Sequence, residues 1–451
     1  MAMILDCILE FPELLFISHR LSSIPLAGMV ILYLIYTRKV TIYLVDFACY
    51  RPPKSTRVPM SMFIEHITLH RTIDTESVAF QHKILEKSGL GEETCIHPSL
   101  TQLPIKKSFS FAMEEAATVM FSAIKDLLVK NKVNPKSIDI LISNSSTFSP
   151  TPSLTAMVVN KFRMRSNIKS FNLSGMGCSA GVVSVSLAND LLRVHNNSLA
   201  LIVSTETLHL NWYTGKNPSM MIGNCLFRSG GAAMLISSRG QDKTNSKYEL
   251  QHIVRTNKAH DDQSHTCVFQ DADSENNIAV SISKNILSVA GEALRINIAS
   301  LGPLILPVSE QLLYIMSIVF KKVRILRWKG FYMPKFKRAC EHFCIHAGGK
   351  AVIQAIERNL QLSKEDVEAS NMTLYRFGNT SSSSIWYELC YIESKGRMKR
   401  GNRVWQLAFG SGFKCNSAVW RCVNDVKPDE ASVWRDEIHK YPVVHDTVEI
   451  I

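Results

Sequence analysis

Between residues 113 and 237 the chain alternates short apolar runs with amphipathic stretches, and this alternation constrains the fold more than any other feature. Residues 113–129 place apolar side chains at helical spacing, and 138–143 form an apolar run of strand length after a turn at Asn134-Pro135. The same reading predicts a strand at 169–173, a helix at 179–194 and strands at 199–204 and 230–237. Strand-length runs separated by helices build an α/β sheet with helices packed on its faces. Residues 352–360 followed by 361–367 echo 124–129 followed by 132–138, a helix and then a short polar turn, which predicts an internal duplication. The two halves would meet near residue 240, in the polar stretch 237–247.

Residues 169–181 read Lys-Ser-Phe-Asn-Leu-Ser-Gly-Met-Gly-Cys-Ser-Ala-Gly, so Cys178 stands where a strand passes through glycines into a helix. Unpaired N–H groups and the positive end of the helix dipole lower the pKa of a thiol placed there. The alternative is a core cysteine packed at a tight turn. A thiolate nucleophile needs a base or cation beside it and donors for an oxyanion. His346 lies in His342-Phe-Cys-Ile-His-Ala-Gly-Gly349, and Asn379 in Arg376-Phe-Gly-Asn-Thr-Ser-Ser-Ser-Ser384. Each is a polar residue at the predicted carboxyl end of a strand, where open α/β sheets collect their sites. Phe409-Gly-Ser-Gly-Phe413 predicts a hairpin whose bare backbone N–H groups can approach a ligand, or else a plain turn. Cys340, His342, Cys344 and His346 alternate like a metal cluster. On a strand at ~3.3 Å per residue they would spread along about 20 Å, too far for one ion at ~2.0–2.3 Å from each ligand, and no metal is expected.

With 451 residues the chain can hold two domains or one large duplicated one. Its eleven cysteines are scattered and form no Cys-x-x-Cys pair, which points to a reducing compartment rather than a disulfide framework. The net charge of +12 comes without a nucleic-acid motif, so no nucleic acid is expected as partner, and phosphate-bearing substrates or anionic lipid remain. Residues 21–36 are apolar apart from Ser22 and Ser23, but Pro25 interrupts them. They fall short of the roughly 20 residues that cross a bilayer. Residues 1–17 are also apolar but carry Asp6, Glu10 and Glu13. The expectation is a membrane hairpin or one imperfect span, the alternative a buried soluble helix. Arg38, Lys39, Arg51 and Lys54 follow, which puts the remainder in the cytosol, and Tyr50-Arg-Pro-Pro-Lys54 closes the anchor region.

Taken together, these segments resemble a plant 3-ketoacyl-CoA synthase, the condensing enzyme of very-long-chain fatty acid elongation. The likeness runs from about Tyr43 to about Trp420 and includes Ser88-Gly-Leu-Gly-Glu-Glu-Thr94, Phe148-Ser-Pro-Thr-Pro-Ser-Leu154, the Cys178 segment, Lys395-Gly-Arg-Met-Lys-Arg-Gly401 and Gly410-Ser-Gly-Phe-Lys-Cys-Asn-Ser417. It implies a thiolase-like α/β fold of two related βαβαβ-type halves with an N-terminal membrane anchor region. The boundaries would be 1–50 for the anchor, 51–240 and 241–425 for the halves, and 426–451 for a tail. By the same resemblance Cys178 carries the acyl chain as a thioester, while His346 and Asn379 hold the malonyl thioester carbonyl. His346 can also pair with the Cys178 thiolate at rest, and the N–H groups of Cys178 and Ser411 form a second oxyanion hole. No cofactor is implied beyond the substrates malonyl-CoA and long-chain acyl-CoA. Membrane lipid, other elongase subunits and a second copy in a homodimer are the implied partners, on the endoplasmic reticulum membrane with the catalytic part facing the cytosol.

The chain departs from the family at Tyr375 and Asn257, where histidine is usual, which makes these two and His342 candidates for secondary roles. A non-catalytic elongase partner, a chalcone-synthase-like polyketide former and a cysteine hydrolase are the competing readings. Residues 301–320 are unusually apolar, and Lys321, Lys322, Arg324, Arg327, Lys329, Lys335, Lys337 and Arg338 follow. This element either borders the acyl tunnel or lies against the membrane, or is a buried helix with a solvated charged face.

Overall fold

The apolar runs of the sequence become the strands of one mixed sheet. The computed structural model describes residues 40–70, 73–323 and 332–443, and for 321–323 the backbone alone. Both N-terminal apolar stretches, and Arg324, Arg327 and Lys329, lie outside the described residues. In chain order the strands are β1 (Tyr43–Cys49), β2 (Ile140–Asn144), β3 (Lys169–Leu173), β4 (Leu199–Thr205), β5 (Gly231–Ser237), β6 (Tyr248–Asn257), β7 (Val268–Ala272), β8 (Ile278–Ile282), β9 (His342–Ile345), β10 (Arg403–Gly410) and β11 (Lys414–Cys422). Nine of them lie in the order β3-β2-β4-β5-β1-β6-β11-β10-β9, and β7 pairs with β8 in a separate ribbon. Every residue of β2, β4 and β5 is buried, which is why these strands read as unbroken apolar runs rather than as alternating ones.

The duplication is visible in the pairing. Outward from the centre, β1 pairs antiparallel with β5, β5 antiparallel with β4, and β4 parallel with β2. On the other side β6 pairs antiparallel with β11, β11 antiparallel with β10, and β10 parallel with β9. The halves join through β1 and β6, where Tyr43 faces Glu249 and Leu44 faces Tyr248. The segments that suggested the repeat are not equivalent to one another. Residues 124–129 end a helix that leads into β2, whereas 352–360 lie in a helix that follows β9 and leads into another helix. An amphipathic helix ending in a polar turn recurs too often to fix such an alignment.

β1 corrects the anchor boundary. Residues 43–49, placed with the membrane region up to residue 50, form a strand at the centre of the sheet, with Tyr43, Leu44 and Phe47 buried. A strand flanked on both sides by other strands is as apolar as a membrane segment of the same length, and residues 43–49 belong to the sheet. The segment placed as a tail is docked. Trp434 is buried and its Nε1 donates to the Tyr387 carbonyl at 3.0 Å, while Glu437 pairs with Arg57 and Arg376 at 2.9 Å each.

The helices are α1 (Met60–Thr68), α2 (Thr75–Ser88), α3 (Phe109–Lys130), α4 (Leu154–Phe162), α5 (Ala180–Val194), α6 (Pro218–Leu226), α7 (Asp262–His265), α8 (Ile286–Ile305), α9 (Val308–Val323), α10 (Lys350–Leu360), α11 (Glu368–Phe377) and α12 (Ser384–Ser394). The Ser108 hydroxyl caps α3 by accepting from Phe111 N at 3.1 Å. Ala112, Ala116, Val119, Ala123 and Leu127 recur at helical spacing and pack in one cluster with Leu201, Ala233 and Leu235 of the sheet. Cutting Leu127 to alanine in such a core costs about 2–5 kcal/mol. Among the described residues no helix is long and apolar enough to cross a membrane.

Candidate functional site

The carboxyl ends of the parallel strands supply the site. β3 runs through Gly175, Met176 and Gly177 into a short 3-10 turn, Gly177–Ser179, on which Cys178 sits directly before α5. Gly177 has φ +65°, and a Cβ built on it would lie 2.2 Å from the backbone N of Ser411. The nucleophile turn therefore touches the tip of the β10–β11 hairpin, and only a residue without a side chain fits between them. Cys178 and Ser411 share the wall of one cavity of about 410 Å³. Trp212, Phe227 and Phe269, from the segments around α6 and the β7–β8 ribbon, make much of the rest of that wall apolar.

His346 follows β9 as expected, whereas Asn379, expected at the end of a strand, follows helix α11; both are buried. Neither is among the residues lining the cavity; Ser381, which does line it, links Asn379 to the cysteine, and the Gly348 turn lies between Asn379 and His346. Ser381 Oγ donates to Cys178 Sγ at 3.4 Å, and Ser381 N donates to Asn379 Oδ1 at 2.8 Å. Asn379 Nδ2 reaches the Gly348 carbonyl at 3.4 Å, and a Cβ on Gly348 would lie 3.2 Å from His346 Nε2. The Asn379 backbone is held at both ends, its N–H donating to Leu226 O and its carbonyl accepting from Arg228 N, each at 3.0 Å. His346 Nδ1 is 2.7 Å from Ser384 Oγ in the first turn of α12.

The electrostatics differ from the expectation of a lowered thiol pKa. Burial pushes the Cys178 thiol up to about 12; the Ser381 hydrogen bond works against this, and the Glu206 carboxylate adds to the rise. Burial likewise holds the His346 imidazole down at about 4. Thiol and imidazole are thus both neutral at pH 7, and the sulfur is hydrogen-bonded to Ser381 rather than paired with His346. The start of α5 was visible in the sequence, whereas the burial of the sulfur was not.

Glu206 escaped the sequence reading. It follows β4 as His346 follows β9, lines the cavity and is tightly held. Its Oε1 accepts from Ser145 Oγ at 3.0 Å and Thr147 Oγ1 at 2.8 Å, and its Oε2 accepts from Ser146 N at 2.8 Å. The rule that a polar residue closing an apolar strand marks a site would have found it.

The secondary candidates lie elsewhere. Tyr375 packs over Gly91, where a Cβ would meet its ring at 2.5 Å, and against Tyr441 at 6.4 Å. His342 opens β9, with Nε2 3.4 Å from Asn402 Oδ1. Asn257 is exposed at the end of β6 and caps Ala259 N at 3.0 Å; Ala259 reaches the cavity and Asn257 does not. A separate chain, Glu115 to His209 to Ser99, has the atom order of a hydrolase triad, with His209 Nδ1 2.8 Å from Glu115 Oε2. All three residues are buried and none lines the cavity, so their hydrogen bonds fix the segment after β4.

Comparison with known proteins gives the family and the fold. Residues 34–323 match the family described as FAE1/Type III polyketide synthase-like protein, and 337–422 match the 3-oxoacyl-[acyl-carrier-protein] synthase III C terminal family. The chain is 58% identical over 429 residues to probable 3-ketoacyl-CoA synthase 21 of Arabidopsis thaliana, covering 94% of this chain and 92% of that one. It is 56% identical to 3-ketoacyl-CoA synthase 6 of the same plant, covering 89% and 81%. Among solved structures it shares its fold with a fungal type III polyketide synthase at TM-score 0.65 and 16% identity, over 84% of this chain and 99% of that one. The type III polyketide synthase domain of Steely1 from Dictyostelium gives TM-score 0.64 and 17% identity, over 85% and 99%. The fold is therefore thiolase-like, α/β with a mixed sheet.

Proposed function

The chain belongs to the 3-ketoacyl-CoA synthase family, and on that premise we propose that it condenses malonyl-CoA with a long-chain acyl-CoA by decarboxylative Claisen chemistry, the first step of very-long-chain fatty acid elongation. The observation that carries this reading is the Cys178 sulfur on the wall of a largely apolar cavity, with the Ser411 backbone N–H pressed against its turn. The Cys178 thiol attacks the acyl-CoA thioester. A bond to Cys178 forms, the bond to the CoA sulfur breaks, and the thiol proton leaves with CoA.

Malonyl-CoA then places its thioester carbonyl before His346 and Asn379. A Ser384 hydroxyl that donates to His346 Nδ1 leaves the imidazole proton on Nε2, and Asn379 Oδ1, occupied by Ser381 N, leaves Nδ2 as the donor. Carbon dioxide departs, and the enolate oxygen rests on these two donors, each worth about 2.7–4 kcal/mol in such a role. The enolate carbon attacks the acyl thioester, and the N–H groups of Cys178 and Ser411 receive the tetrahedral oxyanion. The carbon–sulfur bond to Cys178 breaks, its thiolate takes up a proton, and 3-ketoacyl-CoA leaves. These steps draw on no metal or redox cofactor. The neutral His346 suits them, because an imidazolium would tie up a malonyl carboxylate that must depart uncharged as carbon dioxide.

The proposed setting is the endoplasmic reticulum membrane, with the N-terminal region as anchor and residues from Tyr43 onward in the cytosol beside other elongase subunits. The basic residues Arg38, Lys39, Arg51 and Lys54 support that orientation. A homodimer is proposed across β3, an edge strand of the sheet that leads straight to Cys178. The test is microsomal condensation of radiolabelled malonyl-CoA with acyl-CoAs of graded length, comparing wild type with Cys178→Ala. Product from the wild type alone supports the reading and gives the chain length. Silence from both, with folded protein in the membrane, overturns it in favour of a non-catalytic elongase partner.

A further inference from the structure

Helix α9 is built inside out. Its buried positions include Glu310 and Ser317, whereas every residue from Leu312 to Met316, and then Ile318 and Val319, is exposed. Ile315 keeps 53% of its surface and Leu312 54%. An ordinary surface helix does the reverse. The polar side fastens the helix to the body: Glu310 accepts from Tyr332 Oη at 2.7 Å, Lys335 N at 2.9 Å and Arg338 Nη1 at 2.7 Å. Gln311 Nε2 donates to the Leu306 carbonyl at 2.9 Å. The outward apolar face is thus held in place rather than turned out by chance, and Leu304 and Val308 extend it onto the α8–α9 corner. Contiguous apolar surface of this kind marks an interaction site.

Two observations select the occupant. None of the residues lining the Cys178 cavity comes from α8 or α9, so the face is no wall of that cavity. From Gln311 to Cys340 the sequence carries eight Lys and Arg and no Asp or Glu; Arg338 is paired with Glu310 and Lys337 with Asp366, and the stretch remains basic. That charge repels a second copy of the same surface and attracts acidic headgroups. With 16 residues α9 is about 24 Å long, below the roughly 20 residues of a span. We infer that α9 lies in the plane of an anionic bilayer surface, its apolar face among the acyl chains, with the net positive charge of the sequence from Gln311 to Cys340 selecting acidic lipid. This is a second membrane contact, made by the catalytic body itself and independent of the N-terminal region and of the reaction chemistry. It sets the height and tilt of the body above the bilayer.

The test reads depth, because the full chain stays with the membrane in either case. Full-length protein carrying Ile315→Trp is placed in vesicles of phosphatidylcholine and phosphatidylserine, with and without bromine on the acyl chains. The added Trp emission falls roughly twofold with brominated lipid, while the same substitution at Val129, 69% exposed on α3, is unaffected. Leaving out phosphatidylserine weakens the quenching. Emission from position 315 that is unquenched and as red as that from 129 overturns the inference. Emission that is blue-shifted yet unquenched, with self-cross-linking at 315, also overturns it and gives the face to a second copy. Condensation by the same variant is a separate readout, so a failed quenching test with activity intact sinks the surface and not the reaction.

Discussion

Replacing Gly177 by alanine should lower condensation about a hundredfold while the protein stays folded. The backbone there has φ +65°, a conformation that costs a non-glycine residue roughly 1–2 kcal/mol. Gly175, two residues earlier, has φ +68° and would bear the same cost. Only at Gly177 does a new methyl meet a neighbour: its Cβ would lie 2.2 Å from Ser411 N and 2.8 Å from Gly410 Cα, whereas nothing lies within 4 Å of a Cβ at Gly175. Relaxed contact needs about 3.5 Å, so the hairpin tip must retreat by about 1 Å. A shift of that size in a reacting geometry costs on the order of 10²-fold, or about 2.7 kcal/mol in the barrier. The assay is kcat/KM for condensation in membranes, normalised to folded protein, for Gly177→Ala beside Gly175→Ala. The second variant should lose stability but stay within about threefold of wild type. Equal activities for the two would refute the close approach of Ser411 as the reason for glycine at 177.

Four further outcomes follow from the site and its supports. In the empty enzyme, alkylation of Cys178 by iodoacetamide should rise tenfold per pH unit through the whole stable range, because its thiol titrates only near 12; a plateau near neutral pH would restore the lowered pKa. Glu206→Gln removes a charge that raises this thiol and should speed alkylation at any fixed pH; a slower rate would contradict it. Burial alone would raise Glu437, but Arg57 and Arg376 outweigh it and hold the carboxyl at about 2, against an ordinary 4.5. A depressed carboxyl stabilises the fold above its unfolded pKa and loses that contribution as pH falls through the folded one, so Glu437→Gln should lower Tm at pH 7 and flatten the acid limb between about 4.5 and 2. Tyr375→His should leave kcat/KM within about threefold, since Tyr375 packs on Gly91 and Tyr441 and lines no part of the cavity; a large gain would mean the position acts on the reaction after all.

The sequence was most informative where strands are wholly buried, as in β2, β4 and β5, and where turns are sharp. β3 runs from Lys169 to Leu173 as expected, and the turn at 410–413 is the β10–β11 hairpin. Cys178 and Asn379 stand at glycine turns that lead into helical turns, and His346 at the end of the buried strand β9, which are local properties. What depends on distant packing was not legible. β1 looked like membrane because β5 and β6 flank it, and their contribution comes from residues two hundred positions away. The state of Cys178 is set by how much protein surrounds the sulfur, which a helix N-terminus alone does not reveal. The β7–β8 ribbon gives the cavity part of its apolar wall, yet its residues are exposed or half-buried apart from Ala279. The apolar stretch after Leu301 could be read as tunnel, membrane face or core helix until α9 showed its buried Glu310 and Ser317.

Glu437 joins Arg57, ahead of α1, to Arg376, which lies three residues before Asn379. The ribosome makes this fastener after everything it fastens. Arg57 and Arg376 leave the exit tunnel long before their common partner, so both halves of the sheet can pair while the segment that presents Asn379 still lacks its clamp.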